Sequence, residues 1–160
     1  MGVGKTTIGK KLANRLSMRF TDMDEFIEKQ EGMSVQTIFS LKGEPWFRSK
    51  ESEVLLKLAL EKEDLVISTG GGAPCFNNNM EFINSSGVSI YLHMSVPSLV
   101  KRLSQIDKKS RPLIAGKSEK ELFNYVEAKL SEREYFYLQS KHIVSVENFK
   151  IEDILEALNS

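Results

Sequence analysis

Six residues near the start of the chain, Gly2-Val3-Gly4-Lys5-Thr6-Thr7, constrain the fold more than any other stretch. Gly4-Lys5-Thr6 matches the end of the phosphate-loop pattern G-x-x-x-x-G-K-[ST], and Ile8, Leu12, Ala13 and Leu16 follow at helical spacing. Glycines let successive backbone N–H groups turn toward one anion, and a helix start behind them adds the positive end of its dipole. In such a loop Lys5 would reach the outer phosphates and the Thr6 hydroxyl would sit on a magnesium ion. The plainer reading of the same residues is a glycine-rich helix start with no ligand. The pattern is cut at one end: its first glycine would lie five residues before Gly4, upstream of Met1, and so would the strand that feeds such a loop. The expectation is a natural protein that begins about ten residues earlier, the length of one strand plus the loop's first residues.

Beyond the loop, short apolar runs alternate with helical patterns. Arg19 to Thr21, Leu65 to Ser68, Val88 to Leu92 and His142 to Ser145 read as strands. Helices are expected from Thr6, from Asp24 to a break at Gly32, from Ser34 as N-cap, from about Trp46 to Leu60, from Pro97, from Glu119 to about Tyr137 and from Ile151 to Leu158, with Gly43-Glu44-Pro45 as a turn. That alternation predicts an α/β fold: a mostly parallel sheet with helices on both faces, ligands binding at the carboxyl ends of the strands. A length of 160 residues suits one domain. Residues 104–118 are polar, basic and rich in turn formers, which reads as a mobile surface loop.

Charge and cysteine content narrow the partners. With 22 basic and 22 acidic residues the formal net charge is zero, which argues against a nucleic-acid binder. Cys75 is the only cysteine, so no disulfide framework forms within the chain, and no apolar run is long enough to span a membrane. A cytoplasmic protein acting on small molecules is expected, as a monomer, with neither nucleic acid nor membrane as partner.

The polar residues that could carry chemistry fall at strand ends. Asp22 and Asp24 follow the first strand. One carboxylate could hold magnesium and the other could orient or deprotonate an acceptor hydroxyl, or both could simply cap a helix. Arg48 and Glu51 lie three apart on a helix: either a solvated ion pair, or a glutamate that holds a guanidinium fork ready for a substrate carboxylate. Gly70-Gly71-Gly72 follows an apolar strand, and three glycines exceed what a turn needs, so backbone must approach a ligand closely. Arg111 sits in the basic loop and would act on a transferring phosphoryl group if that loop closes; Arg133 is flanked by Glu132 and Glu134 and has a surface ion pair as its plainer reading. His93, His142 and Cys75 read as structural, and Phe47 could wall a pocket beside Arg48.

The order of these motifs resembles the shikimate kinase family. Met1 to Thr7, Phe20-Thr-Asp-Met-Asp24, Ile38-Phe-Ser-Leu-Lys-Gly-Glu-Pro-Trp-Phe-Arg-Ser-Lys-Glu51, Thr69-Gly-Gly-Gly72, Arg111-Pro-Leu and Arg133 near Tyr137 carry the resemblance over nearly the whole chain. It implies transfer of the ATP γ-phosphoryl to the 3-hydroxyl of shikimate, in aromatic amino-acid synthesis. The resemblance implies a phosphate-loop kinase domain over residues 1–160, with the helices of about 24–60 on the substrate side and a lid at about 104–118. By the family's motifs Gly2, Val3, Gly4, Lys5, Thr6 and Thr7 would cradle ATP, Asp22 and Thr6 would place Mg2+, and Asp24 would bind the shikimate hydroxyls and serve as base. Arg48, Arg133 and the backbone of Gly70, Gly71 and Gly72 would hold the shikimate carboxylate. Lys5 and Arg111 would stabilise the transferring phosphoryl, and Arg102 would lie on the adenine side. The family also places a central strand before the loop, and a sheet lacking it would leave ladder groups unpaired. Two other readings remain open on the residues alone: another small-molecule kinase acting on gluconate or a nucleotide, and a non-catalytic shikimate-binding module.

Overall fold

The computed structural model describes residues 2–105 and 116–159. Eight helices and four strands follow one another among them: α1 Lys5–Leu16, β1 Arg19–Asp22, α2 Met23–Glu31, α3 Val35–Lys42, α4 Glu44–Ala59, β2 Leu65–Ser68, α5 Asn79–Ser86, β3 Ile90–His93, α6 Val96–Ser104, α7 Glu119–Tyr137, β4 His142–Ser145 and α8 Ile151–Asn159, with a 3-10 turn at Ala73–Cys75. No strand precedes α1 among the described residues.

Among the described residues all strand pairing is parallel. Arg19 lies opposite Leu65 and Asp22 opposite Ser68; Ile90 lies opposite His142 and His93 opposite Ser145. The four strands form two separate pairs rather than one continuous sheet. An apolar cavity of about 690 Å³ is lined by residues from both pairs, among them Val66 and Ile67 of β2, Ile90 and Leu92 of β3, and Ile8 and Leu12 of α1. The phosphate-loop residues Val3 and Lys5 also border it.

Two apolar clusters make the core. The first joins α1, α6, α7, α8 and β4 through Leu12, Leu103, Val126, Val144 and Ile154. The second joins α2, α3 and α4 through Met23, Ile27, Ile38, Phe47 and Val54. Local chemistry explains most helix ends. Ser34 caps α3 by accepting from the Thr37 N–H, Gly32 closes α2 at φ 66°, and Ser118 and Glu121 form a reciprocal capping box on α7.

The structure departs from expectation at two helices. Glu44 and Pro45 are the first residues of α4, not a turn: Pro is tolerated in a first turn because its missing N–H has no partner there, and Glu suits the positive helix end. Asp24 lies in the first turn of α2, where the sequence places a helix start, and Asp22 before it is extended (φ −94°, ψ 122°). The helix α5 has no counterpart in the sequence reading, since Asn77 and Asn78 look like loop; both are left-handed (φ 54° and 56°), and buried Met80 then anchors the helix they lead into.

Candidate active site

The phosphate loop wraps the start of α1. Gly2 and Gly4 have positive φ (70° and 95°), a conformation a side chain would strain. No side chain caps the start of α1, and a helix N-terminus of this kind carries the positive end of its dipole. Gly2 packs against Leu103 and Gly4 against the Arg102 guanidinium, where a Cβ on Gly4 would come within 2.8 Å of Nη2. Arg102 thus lies on the loop, beside a cavity of about 200 Å³ that Met94, Ser98, Lys101 and Glu147 also line. Val3 is buried and Thr7 is exposed.

The Thr6 hydroxyl donates to Asp22 Oδ2 at 2.7 Å. The other Asp22 oxygen accepts from the backbone N–H groups of Asp24 (3.1 Å) and Glu25 (3.4 Å), so Asp22 both caps α2 and ties its start to the phosphate loop. A hydroxyl and a carboxylate at the foot of such a loop are hard oxygen donors suited to magnesium, whose remaining positions go to water and phosphate. Among the described residues no group of three or more His, Cys, Asp or Glu could hold a metal by itself. The Asp24 carboxyl is pushed above the ordinary aspartate range by burial first and by Asp22 next, while Lys5 and Arg48 pull the other way.

Arg48 is the hub of the opposite wall. Its Nη1 donates to Glu51 at 2.6 Å, and its Nε and Nη2 both donate to Glu44 Oε1, at 3.1 and 2.8 Å. The Phe76 ring lies 4.5 Å from its Cζ, with Phe39 and Phe47 at 5.6 Å. Glu51 is only 1 % exposed, so this is no solvated surface pair. Burial raises the Glu51 carboxyl and Arg48 lowers it again; burial also opposes the charge on Arg48, but hydrogen bonds from Glu51 and Glu44 outweigh it and hold that guanidinium above its usual value.

The three glycines knit these groups together. A Cβ on Gly70 would come within 2.8 Å of Asp24 Oδ1 and 2.7 Å of Glu51 Oε1. One on Gly71 would lie 3.2 Å from Arg133 Nη1, and one on Gly72 would overlap the Arg48 guanidinium. The run is therefore glycine for space. Tyr137 donates its hydroxyl to the Gly71 carbonyl, Asn77 donates to the Arg48 carbonyl at 3.2 Å, and buried Asn79 donates to the Ala73 carbonyl at 2.8 Å. These bonds pin the glycine segment between α4 and α7.

The structure thus brings Asp24, Arg48, Gly70, Gly71, Gly72 and Arg133 to one place, with Lys5 acting electrostatically on Asp24. Arg111 and most of the loop at 104–118 lie outside the described residues. Glu44, Phe76 and Tyr137 join the site without having been singled out for a role. The first looks like turn chemistry and the other two like packing, and only their meeting with Arg48 and Gly71 reveals them. His93 stacks edge-on against Tyr91 at 5.7 Å, as a structural residue does. The Cys75 thiol is half-buried and raised by burial, so it is a poor nucleophile.

The family model described as shikimate kinase matches residues 1–159. A shikimate kinase of Parabacteroides distasonis is 43 % identical over 162 residues, covering 99 % of this chain and 92 % of that one. One from Phocaeicola vulgatus is 41 % identical over 150 residues, 94 % of this chain and 85 % of that one. Among solved structures, a shikimate kinase of Bacteroides thetaiotaomicron superposes with a TM-score of 0.89 at 39 % identity, covering 99 % of this chain and 92 % of that one. One from Acinetobacter baumannii in complex with shikimate gives 0.83 at 31 % identity, over 99 % and 86 %. Whole-length match and identities above 30 % lead to one conclusion: the chain belongs to the shikimate kinase family.

Proposed function

We propose that the chain, as one kinase domain, transfers the γ-phosphoryl of ATP to the 3-hydroxyl of shikimate and releases shikimate 3-phosphate and ADP. One observation carries the reading: Asp24, Glu51, Arg48 and Arg133, from α2, α4 and α7, converge on the glycine run beside the loop that bears Lys5 and Thr6. A small anionic polyol needs a carboxylate clamp, a group that orients its hydroxyl and a phosphate cradle, and these residues supply all three.

Roles follow from chemistry. Arg48 and Arg133 hold the substrate carboxylate, with the backbone of Gly70, Gly71 and Gly72 lying close enough to join them. Asp24 accepts the proton of the 3-hydroxyl as its oxygen attacks the γ-phosphorus and the bond to the β-phosphate oxygen breaks. A carboxylate with a raised pKa is a better base than an ordinary one. Gly2 to Thr7 cradle the phosphates with backbone N–H groups, Lys5 and Arg111 balance the charge that gathers on the transferring group, and Arg102 flanks the nucleotide. Thr6 and Asp22 would hold magnesium, which when bound neutralises phosphate charge. The protein acts as a monomer on small molecules.

An ADP-release assay with ATP and magnesium, run against shikimate, gluconate and nucleoside monophosphates, tests the reading. Release should depend on shikimate alone. Faster release with gluconate or a nucleotide would overturn it.

A further inference from the structure

We propose that Glu44 is a place-holder for the acceptor's carboxylate: in the empty site it occupies the edge of the Arg48 guanidinium, and it yields that edge when a carboxylate-bearing acceptor arrives. The proposal rests on the reading of Arg48 as the carboxylate clamp.

The geometry of the guanidinium comes first. Nε and Nη2 present the side edge on which a carboxylate is held bidentately. Both already donate to one oxygen of Glu44, at 3.1 and 2.8 Å. Nη1 donates to Glu51, and a Cβ on Gly72 would run into the far end of the group. Phe76 covers a ring face at 4.5 Å. An incoming carboxylate therefore meets an edge that is taken.

The two glutamates differ in what they can do about it. Glu51 is 1 % exposed and cannot return to water, whereas the Glu44 side chain is 53 % exposed. An exposed ion pair is a weak contact, so releasing Glu44 costs little. Once released it still sits in the first turn of α4, where a negative charge is favourable. Charge points the same way. Two carboxylates on one guanidinium leave that trio net negative; Asp24 beside Glu51 adds to it and Arg133 offsets it in part. A third carboxylate on Arg48 is held better once one of the two leaves, and only Glu44 can. The exchange sets specificity: an acceptor without a carboxylate cannot displace Glu44.

Calorimetric binding of shikimate and of its uncharged carboxamide to the parent, Glu44→Gln, Glu44→Asp and Arg48→Lys proteins tests this. In Glu44→Gln the Kd for shikimate should fall about two- to fivefold, while that for the carboxamide stays put. Glu44→Asp, which keeps the charge but draws it back from the fork, should tighten shikimate binding by less. An unchanged or raised Kd for shikimate in Glu44→Gln overturns the proposal and makes Glu44 a support of Arg48. The clamp reading fails separately: it is lost if Arg48→Lys leaves the shikimate-to-carboxamide affinity ratio at the parent value.

Discussion

Burial raises the Asp24 carboxyl, Asp22 repels it, and Lys5 and Arg48 only partly offset them. Between the ordinary value of 3.8 and the raised one, the folded state holds more proton than the unfolded chain. Stability therefore falls as pH rises through that window, and at neutral pH the ionised Asp24 works against the fold. Asp24→Asn should raise the Tm of the metal-free protein at pH 7, with a gain that narrows toward pH 3.8, while phosphoryl transfer is almost abolished. A lower Tm at pH 7 would mean that Lys5 and Arg48 overcompensate. Arg111→Ala should lower turnover far more than shikimate affinity, because its proposed partner is the transferring group; unchanged turnover removes that role. Single residues were legible in the sequence where their type is rare at their place, as with two aspartates at a strand end. Glu44 and Tyr137 were not, because a charge at a helix start and an aromatic at a helix end are ordinary until their partners are known.

At the scale of elements, the glycine run does the organising. Its composition told that something approaches closely, but not that each glycine faces a different side chain: Asp24 and Glu51, then Arg133, then Arg48. Those partners come from α2, α4 and α7, and no local pattern encodes a meeting across such separations. Gly72→Ala should push the Arg48 guanidinium aside and lower kcat/KM for shikimate by roughly ten- to a hundredfold, since small misplacements at a reacting centre are costly. Its thermal stability should change little, because the displaced group is the end of a side chain. A kcat/KM within twofold of the parent would show that the close approach is incidental.

For the whole molecule, the alternation of strands and helices was readable, since it rests on period and on punctuation by Gly and Pro. Which strands pair, β1 with β2 and β3 with β4, was not, because pairing is set by packing between distant segments. Two cores support two halves of the site. Leu103, in the first, sits against Gly2 of the phosphate loop; Ile38, in the second, shares a cluster with Phe47 and Val54 of α4, the helix that bears Arg48. Leu103→Ala and Ile38→Ala should each cost roughly 2–5 kcal/mol, a drop in Tm of roughly 4 to 20 °C for a chain of this size. Their kinetic effects should separate: Leu103→Ala should raise KM for ATP and Ile38→Ala that for shikimate. Equal effects on both constants would mean the cores are not independent supports.

The central claim is that these two halves deliver the γ-phosphoryl of ATP to one hydroxyl of a clamped carboxylic acid. Phosphorus NMR of the product formed from ATP, magnesium and shikimate tests it most directly. The account predicts a single new phosphomonoester coupled to the proton on carbon 3, appearing as ADP does. A phosphate on another hydroxyl, or ADP and free phosphate with no phosphorylated shikimate, would contradict it.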